Sequence, residues 1–271
     1  MQLSIRHTTR YNFAEPSVHG LQRLRLRPKS THGQSVIAWD MQLEYAELQA
    51  EYDDQNCNHT ALISVNPAAE SVTVTCSGAV MTSDTVGVVG QHSGCMPMWL
   101  FRSHTPLTQP GPKMRALAGQ FDRDAADRIG VLHDLSRRVR DAVQYESGYT
   151  DAQTAAEAAM AMGRGVCQDH AHIFIGVARL LGIPARYVSG YLMMDDRIEQ
   201  DAGHAWAEAH VAGLGWVAFD VSNGICADAR YVRIASGCDY SEAAPVTGIT
   251  TGTGDTTMSV SLAVEQQLSE Q

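Results

Sequence analysis

The stretch Gly163-Arg164-Gly165-Val166-Cys167 puts a thiol just behind two glycines and at the head of an apolar helical pattern. Glycine permits a sharp backbone turn there. A side chain at a helix N-terminus meets the positive end of the macrodipole and backbone N–H groups that lack intrahelical partners. Both favour thiolate, the nucleophilic form of cysteine. The backbone N–H of Cys167 can also point at an oxyanion forming on an attacked carbonyl. Further along, His204 opens an alternating segment in which residues 204, 206, 208 and 210 share one face. Gly213 to Gly215 supplies a hairpin turn, and Trp216 to Val221 returns antiparallel. If His210 pairs with Trp216, then Trp206 faces Asp220, and Asp220 lies diagonally beside His204. A slip of one residue separates them. In the first register Asp220 can orient the imidazole to take a proton from the thiol. Singly, each residue has a plainer use, since a free cysteine is usually core and a strand histidine is usually just hydrogen-bonded. The expectation of a Cys167-His204-Asp220 triad rests on the combination.

Supporting roles fall to neighbours. Gln168 and Tyr145 are candidates for a second oxyanion donor, Trp206 for a wall against water, and Asn223 for a turn cap. Asp169 complements the helix dipole from the first turn. Cysteines 57, 76, 95, 226 and 238 have no comparable setting and read as structural. A zinc site built from Cys167, His170, His172 and either His204 or His210 fails on geometry, because residues 170 and 172 lie about 200° apart around a helix. No metal, calcium loop or cofactor is expected.

These residues need elements to hold them. Helices are expected over Pro112 to Phe121, Ala125 to Tyr145, Thr154 to Met160 and about Val166 to Leu181, where Gly182 and Pro184 end the last one. Strands follow at Ala185 to Met194, Ala205 to Val211, Trp216 to Val221 and Tyr231 to Ile234, then a Gly/Thr-rich tail over Thr247 to Asp255 and one more alternating run, Thr257 to Val264. Helices followed by an antiparallel sheet make an α+β unit. Upstream, Gln2 to Thr9, Leu21 to Leu26, Val36 to Tyr45, Ala61 to Val65 and Ser71 to Val80 read as strands of a β-sandwich-like domain. The expected division is therefore 1–80 β-rich, 81–112 a Gly/Pro-rich connection, and 113–271 the second domain.

The 271 residues can bury a real core, and 44% hydrophobic with 18% charged content is that of a globular protein. A formal net charge of -10 speaks against a nucleic-acid partner. The basic stretches Arg23 to Lys29 and Arg137 to Arg140 read as solvated faces. No run of about 18 apolar residues suggests a membrane span. The N-terminus alternates like a strand rather than a signal peptide, and six scattered cysteines fit a reducing compartment, so a cytoplasmic location is expected.

Several segments are familiar in order: GRGVCQDHAH, IPARYVSGYL, GHAWAEAHVAGLGWVAFDVSNG and YVRIASGCDY. Together they resemble the core of bacterial transglutaminase-like proteins, relatives of papain-fold cysteine proteases. HTTRYNFAEPSVHGLQRLRLRP is similar to the β-rich domain often attached to that core. The resemblance implies a papain-like transglutaminase core, with the family's triad falling on Cys167, His204 and Asp220. It also implies a cysteine-dependent acyl-transfer enzyme that hydrolyses peptide or amide bonds through a thioester, with a peptide or protein amide as partner. The same triad serves a protein-glutamine amine transferase, and the fold also serves as a non-catalytic binding module. Two departures stand out: Val221-Ser222-Asn223 where Pro-Thr-Asn is usual, and His170 where Phe is common.

Overall fold

The computed structural model describes residues 1–252 and 254–267. Seven strands come first: β1 (Gln2–Phe13), β2 (His19–Leu24), β3 (Gln34–Glu44), β4 (Ala46–Asp53), β5 (His59–Val65), β6 (Ser71–Thr82) and β7 (Val88–Gly90). Next are α1 (Pro112–Ala118), α2 (Arg128–Ala142), β8 (Gln144–Tyr145), α3 (Ala156–Met162), β9 (Arg164–Gly165) and α4 (Cys167–Leu180). The chain then forms β10 (Ala185–Leu192), β11 (Glu199–Gln200), β12 (His204–Val211), β13 (Gly215–Asp220), β14 (Ile225–Cys226) and β15 (Tyr231–Gly237). It closes with α5 (Tyr240–Ala243), β16 (Val246–Thr251) and β17 (Thr256–Gln266). The architecture is the expected one: a β-rich N-terminal region, and helices packed on an antiparallel sheet.

Helix α4 is the centre of the second unit. Its sequence CQDHAHIFIGVARL is buried from Asp169 to Arg179 in spite of its polar members, as befits a helix with neighbours on every side. Ile173, Phe174, Ile175 and Val177 are fully buried against α1, α2, α3 and the sheet. Each such side chain contributes about 1.5–3 kcal/mol by leaving water. The sheet runs β14-β13-β12-β10-β15, with β7 added beside β13. The apolar residues of β12 on the α4 side are small (Ala205, Ala207, Ala209), which lets the helix approach closely.

In the N-terminal region, β1 alternates so that Leu3, Ile5, His7 and Thr9 point inward. One sheet is ordered β11-β17-β1-β6-β3 and the other β16-β2-β5-β4. Between them lies a core of Leu24, Ile63, Val65, Val72 and Val74. The end of the first sheet instead packs on the second unit, where Leu3, Ile5, Val80, Leu262 and Val264 meet Tyr191, Val232 and Ile234. Strand β15 is the edge of its sheet, and two side-chain amides cover it. Gln34 donates to the Arg233 carbonyl at 2.9 Å and accepts from the Arg233 N–H at 2.8 Å. Asn58 does the same for Ser236, at 2.8 Å each way. An edge so capped no longer presents unpaired backbone groups at those positions.

Several segments differ from the expectations; the helix expected to reach Tyr145 ends at Ala142, and Gln144–Tyr145 forms the short strand β8. Strand β4 adds to the expected set: its residues AELQAEYD alternate apolar and polar, but nearly all are exposed, so the alternation marks no core face. The connection 81–112 contributes β7, which lies along β13. The tail, placed by sequence with the second unit, pairs through β16 with β2 and through β17 with β1.

Candidate active site

The turn before Cys167 is built as the glycines suggest. Gly163 ends α3 with φ +70, a left-handed conformation that favours glycine. At Gly165 an added Cβ would come within 2.7 Å of the Asp169 carboxylate. That carboxylate folds back to accept the Val166 N–H at 2.8 Å and the Thr150 hydroxyl at 2.7 Å, so Asp169 caps the helix that Cys167 starts. Burial raises its pKa, while those two donors pull the other way.

His204 and Asp220 meet in the expected register, with His210 opposite Trp216 and Ala207 opposite Phe219. His204 Nε2 donates to Asp220 Oδ2 at 2.6 Å, leaving Nδ1 as the other ring nitrogen. Burial opposes charge on this ring. Hydrogen bonds to Asp220 and Cys167, and the charges on both, outweigh it and raise the His204 pKa to about 10. Asp220 is wholly buried; burial favours its neutral form, but His204 and further donors lower its pKa.

Those further donors are a phenol, a side-chain amide and a backbone N–H. Tyr231 OH and Asn223 Nδ2 each donate to Asp220 Oδ2 at 2.7 Å, and the Asn223 N–H donates to Oδ1 at 3.1 Å. Asn223 thus does more than cap a turn, and its place three residues after an aspartate was a readable signal. Tyr231 comes from β15, and nothing local announces it. The two departures from the family pattern also meet. His170 Nε2 lies 2.8 Å from the Val143 carbonyl, which only accepts, so Nε2 carries the proton. Its Nδ1 then accepts from the Ser222 hydroxyl at 2.8 Å. Burial lowers the His170 pKa and keeps this neutral arrangement.

The supporting candidates separate. Trp206 is 2% exposed and its ring stacks on His204, with centroids 6.3 Å apart, where it shields the imidazole. Tyr145 and Gln168 both line the cavity that holds Cys167 and His204. Gln168 spends its amide on the Ala152 carbonyl at 3.4 Å. Burial raises the Tyr145 pKa, and the charges of Cys167 and Asp220 add to this; its ring lies 6.2 Å from that of His170. His172 goes elsewhere: it accepts from the Tyr240 N–H at 3.1 Å and packs on Tyr187. Among the described residues no group of three or more His, Cys, Asp or Glu could hold a metal ion.

The cavity has a volume of about 390 Å³ and is shared between the two regions. His7, Thr9 and Tyr11 of β1, and Met258 and Val260 of β17, form one side; Tyr145, Tyr187, Tyr191 and Tyr240 form much of the other. No Asp, Glu, Lys or Arg is among its lining residues. Of the acidic loop 195–203 only Ala202 and Gly203 reach it, while Asp195 pairs with Arg230 and Asp196 with Arg197. The 81–112 connection does not line it.

Residues 115–221 match the family described as the transglutaminase-like superfamily, and residues 3–81 match the bacterial transglutaminase-like N-terminal region. An uncharacterized protein of Mycobacterium leprae is 27% identical over 96% of both chains. One from Mycobacterium tuberculosis is 37% identical over 45% of this chain and 42% of its own length. A solved structure of a candidate cysteine protease from Cytophaga hutchinsonii superposes with a TM-score of 0.77 at 21% identity, over 98% of this chain and 91% of that one. At that identity the likeness concerns the fold.

Proposed function

Because the chain carries a transglutaminase-like core joined to a bacterial transglutaminase-like N-terminal region, we propose that it is a cysteine-dependent acyl-transfer enzyme that hydrolyses peptide or amide bonds. The observation that carries this reading is the 2.6 Å bond from His204 to a fully buried Asp220, in the cavity that also contains Cys167 at the start of α4. In the proposed reaction the Cys167 sulfur attacks the carbonyl carbon, and the carbonyl electron pair moves onto oxygen. The Cys167 N–H meets that oxyanion, and Tyr145 and Gln168, which line the same cavity, are the candidates for the second donor. As the C–N bond breaks, His204 gives its proton to the departing amine and a thioester remains. Water then gives a proton to His204 and attacks the thioester, releasing the acid and the thiolate–imidazolium pair. Asp220 keeps the imidazole in place and stabilises its positive form.

The uncharged, tyrosine-rich lining favours a neutral acyl portion with apolar or aromatic groups, rather than a basic one. Water as acceptor is the reading taken from the family resemblance; a primary amine would divert the same thioester to cross-linking.

The test is alkylation by iodoacetamide, located by peptide mass spectrometry, followed by assay on amide substrates with and without a primary amine. Selective labelling of Cys167 over the exposed Cys57 and Cys95, reduced in His204→Ala, is expected. Amide turnover should disappear in Cys167→Ala. A Cys167 that reacts no faster than Cys57, both alone and with candidate substrates present, would sink the enzyme reading and leave the binding-module one. Amine incorporation outrunning hydrolysis would reassign the acceptor.

A further inference from the structure

Toward the other end of β10 and β12, Arg186 stands opposite Glu208. Glu208 is fully buried and shared: Arg186 Nε donates to Oε2 at 2.7 Å, and Arg233 Nη2 donates to Oε1. Lys29, from the N-terminal region, joins them. Its ammonium donates to the Asn56 carbonyl at 3.0 Å and the Ser236 hydroxyl at 3.3 Å, both neutral. Asp54, the other carboxylate acting on Lys29, is engaged by Arg25 at 2.9 Å. Lys29, Arg186 and Arg233 therefore set three positive charges against the single negative charge of Glu208, an excess of two. At the rim, Arg27 and Asp53 are exposed and offset each other.

These cations line a cavity of about 320 Å³ between the two regions, with Thr31, Asn56 and Ser236 among its polar walls. Arg233 is only 8% exposed, yet its Nε has no hydrogen-bond partner. Arg186 is held ready by stacking 4.2 Å above the Trp216 ring. Burial and then the charges of Arg186 and Arg233 push the Lys29 pKa down to about 8, the behaviour of an amine lacking a counter-anion. A buried excess of cations with an unpaired donor is the complement of an anion. Two excess charges match a dianion. Donors converging from three side chains match tetrahedral oxygens better than a flat carboxylate.

We propose that this cavity binds a phosphate group, seated on Lys29, Arg186 and Arg233, with room beside it for the small alcohol of a phosphate monoester. The volume reaches the lower end of the range for small-molecule sites, more than a bare anion requires. His204 lies four residues along β12 from Glu208, roughly 13 Å at the rise of a strand, so this site is separate from the cavity of Cys167.

The experiment is titration calorimetry of the full chain at constant ionic strength, with inorganic phosphate, glycerol phosphate, succinate and chloride as probes. Saturable binding of phosphate, absent for chloride and at least tenfold weaker for succinate, is expected. Tighter binding of glycerol phosphate than of phosphate would point to an ester as the natural ligand; equal binding would point to the free anion. Lys29→Gln, which removes no carboxylate partner, should weaken binding at least tenfold, and Arg137→Gln on the exposed face of α2 should not. A crystal soaked in tungstate should show the anomalous peak between Lys29 and Arg233. The proposal is overturned by no saturable phosphate binding, by equal loss in both variants, or by a tungstate peak elsewhere. None of these readouts depends on amide turnover.

Discussion

Two buried carboxylates stand on the same face of strands β12 and β13 and live under opposite conditions. Asp220 receives one imidazole and three neutral donor groups, from Tyr231 and Asn223. Glu208 receives two guanidiniums, with Lys29 close by. Around Asp220 the charge balances once His204 is protonated, and in the proposed reaction the pair moves that proton at Cys167. Around Glu208 positive charge is left over and no titrating partner faces a nucleophile. The strand period puts both carboxylates on one side of the sheet. What each can do is decided by the count and kind of donors around it: a balanced pair handles protons, and an over-supplied one attracts anions.

The comparison can be broken most severely at the nucleophile. Cys167→Ala should remove amide turnover altogether, a fall of roughly 10⁴-fold or more, with thermal stability nearly unchanged. Asp220→Asn should cost about as much in kcat, up to roughly 10⁴-fold. It should also alter the pH profile. His204 has a folded-state pKa raised to about 10, so the stabilisation from its pairing is complete below about 6.5 and is lost as pH rises through about 10. Asp220→Asn should move the alkaline limb of activity down and flatten stability over that window; an unmoved limb would mean that another group sets it.

Glu208→Gln makes the contrasting break. It leaves two buried guanidiniums without a counter-charge and should cost about 3–5 kcal/mol in chemical denaturation. Turnover per folded molecule should stay within a few-fold. A large loss of kcat in folded protein would erase the distinction between the two carboxylates. Tyr231→Phe sharpens the comparison, since it removes a single donor from Asp220; a hydrogen bond to a charged acceptor is worth about 1.5–3 kcal/mol, so kcat should drop roughly 10- to 100-fold. The smallest effect is expected at the linked departures. His170→Phe leaves the Ser222 hydroxyl and the Val143 carbonyl unpaired, for about 1–3 kcal/mol of stability, and Ser222→Ala in the same chain should recover part of it.

Most of the framework could be read along the chain. The extent of α4, its stop at Gly182 and the β12–β13 register came from periodicity and turn residues, which act over a few positions. The strand β4 does carry a period-2 alternation, with Ala46, Leu48, Ala50 and Tyr52 against Glu47, Gln49, Glu51 and Asp53, but it stays exposed and no core face makes that pattern stand out. Strand β16 falls mostly within the expected Gly/Thr-rich tail Thr247 to Asp255; its burial is slight, and its pairing partner, β2, lies at the other end of the sequence.

At the site, residue type and local geometry point to Cys167, His204 and Asp220 as candidates, since a helix start and a hairpin are short-range objects. The structure joins His204 to Asp220 in the cavity that Cys167 lines. Local signals could not reveal that Tyr231 steadies Asp220, that His170 answers Ser222, that β1 and β17 wall the cavity, or that Lys29 joins Arg186 and Arg233. Each of these contacts joins segments far apart in the chain, across a sheet or between the two regions. Periodicity marks which face of an element is buried; which side chains meet there is settled by how the packed layers align.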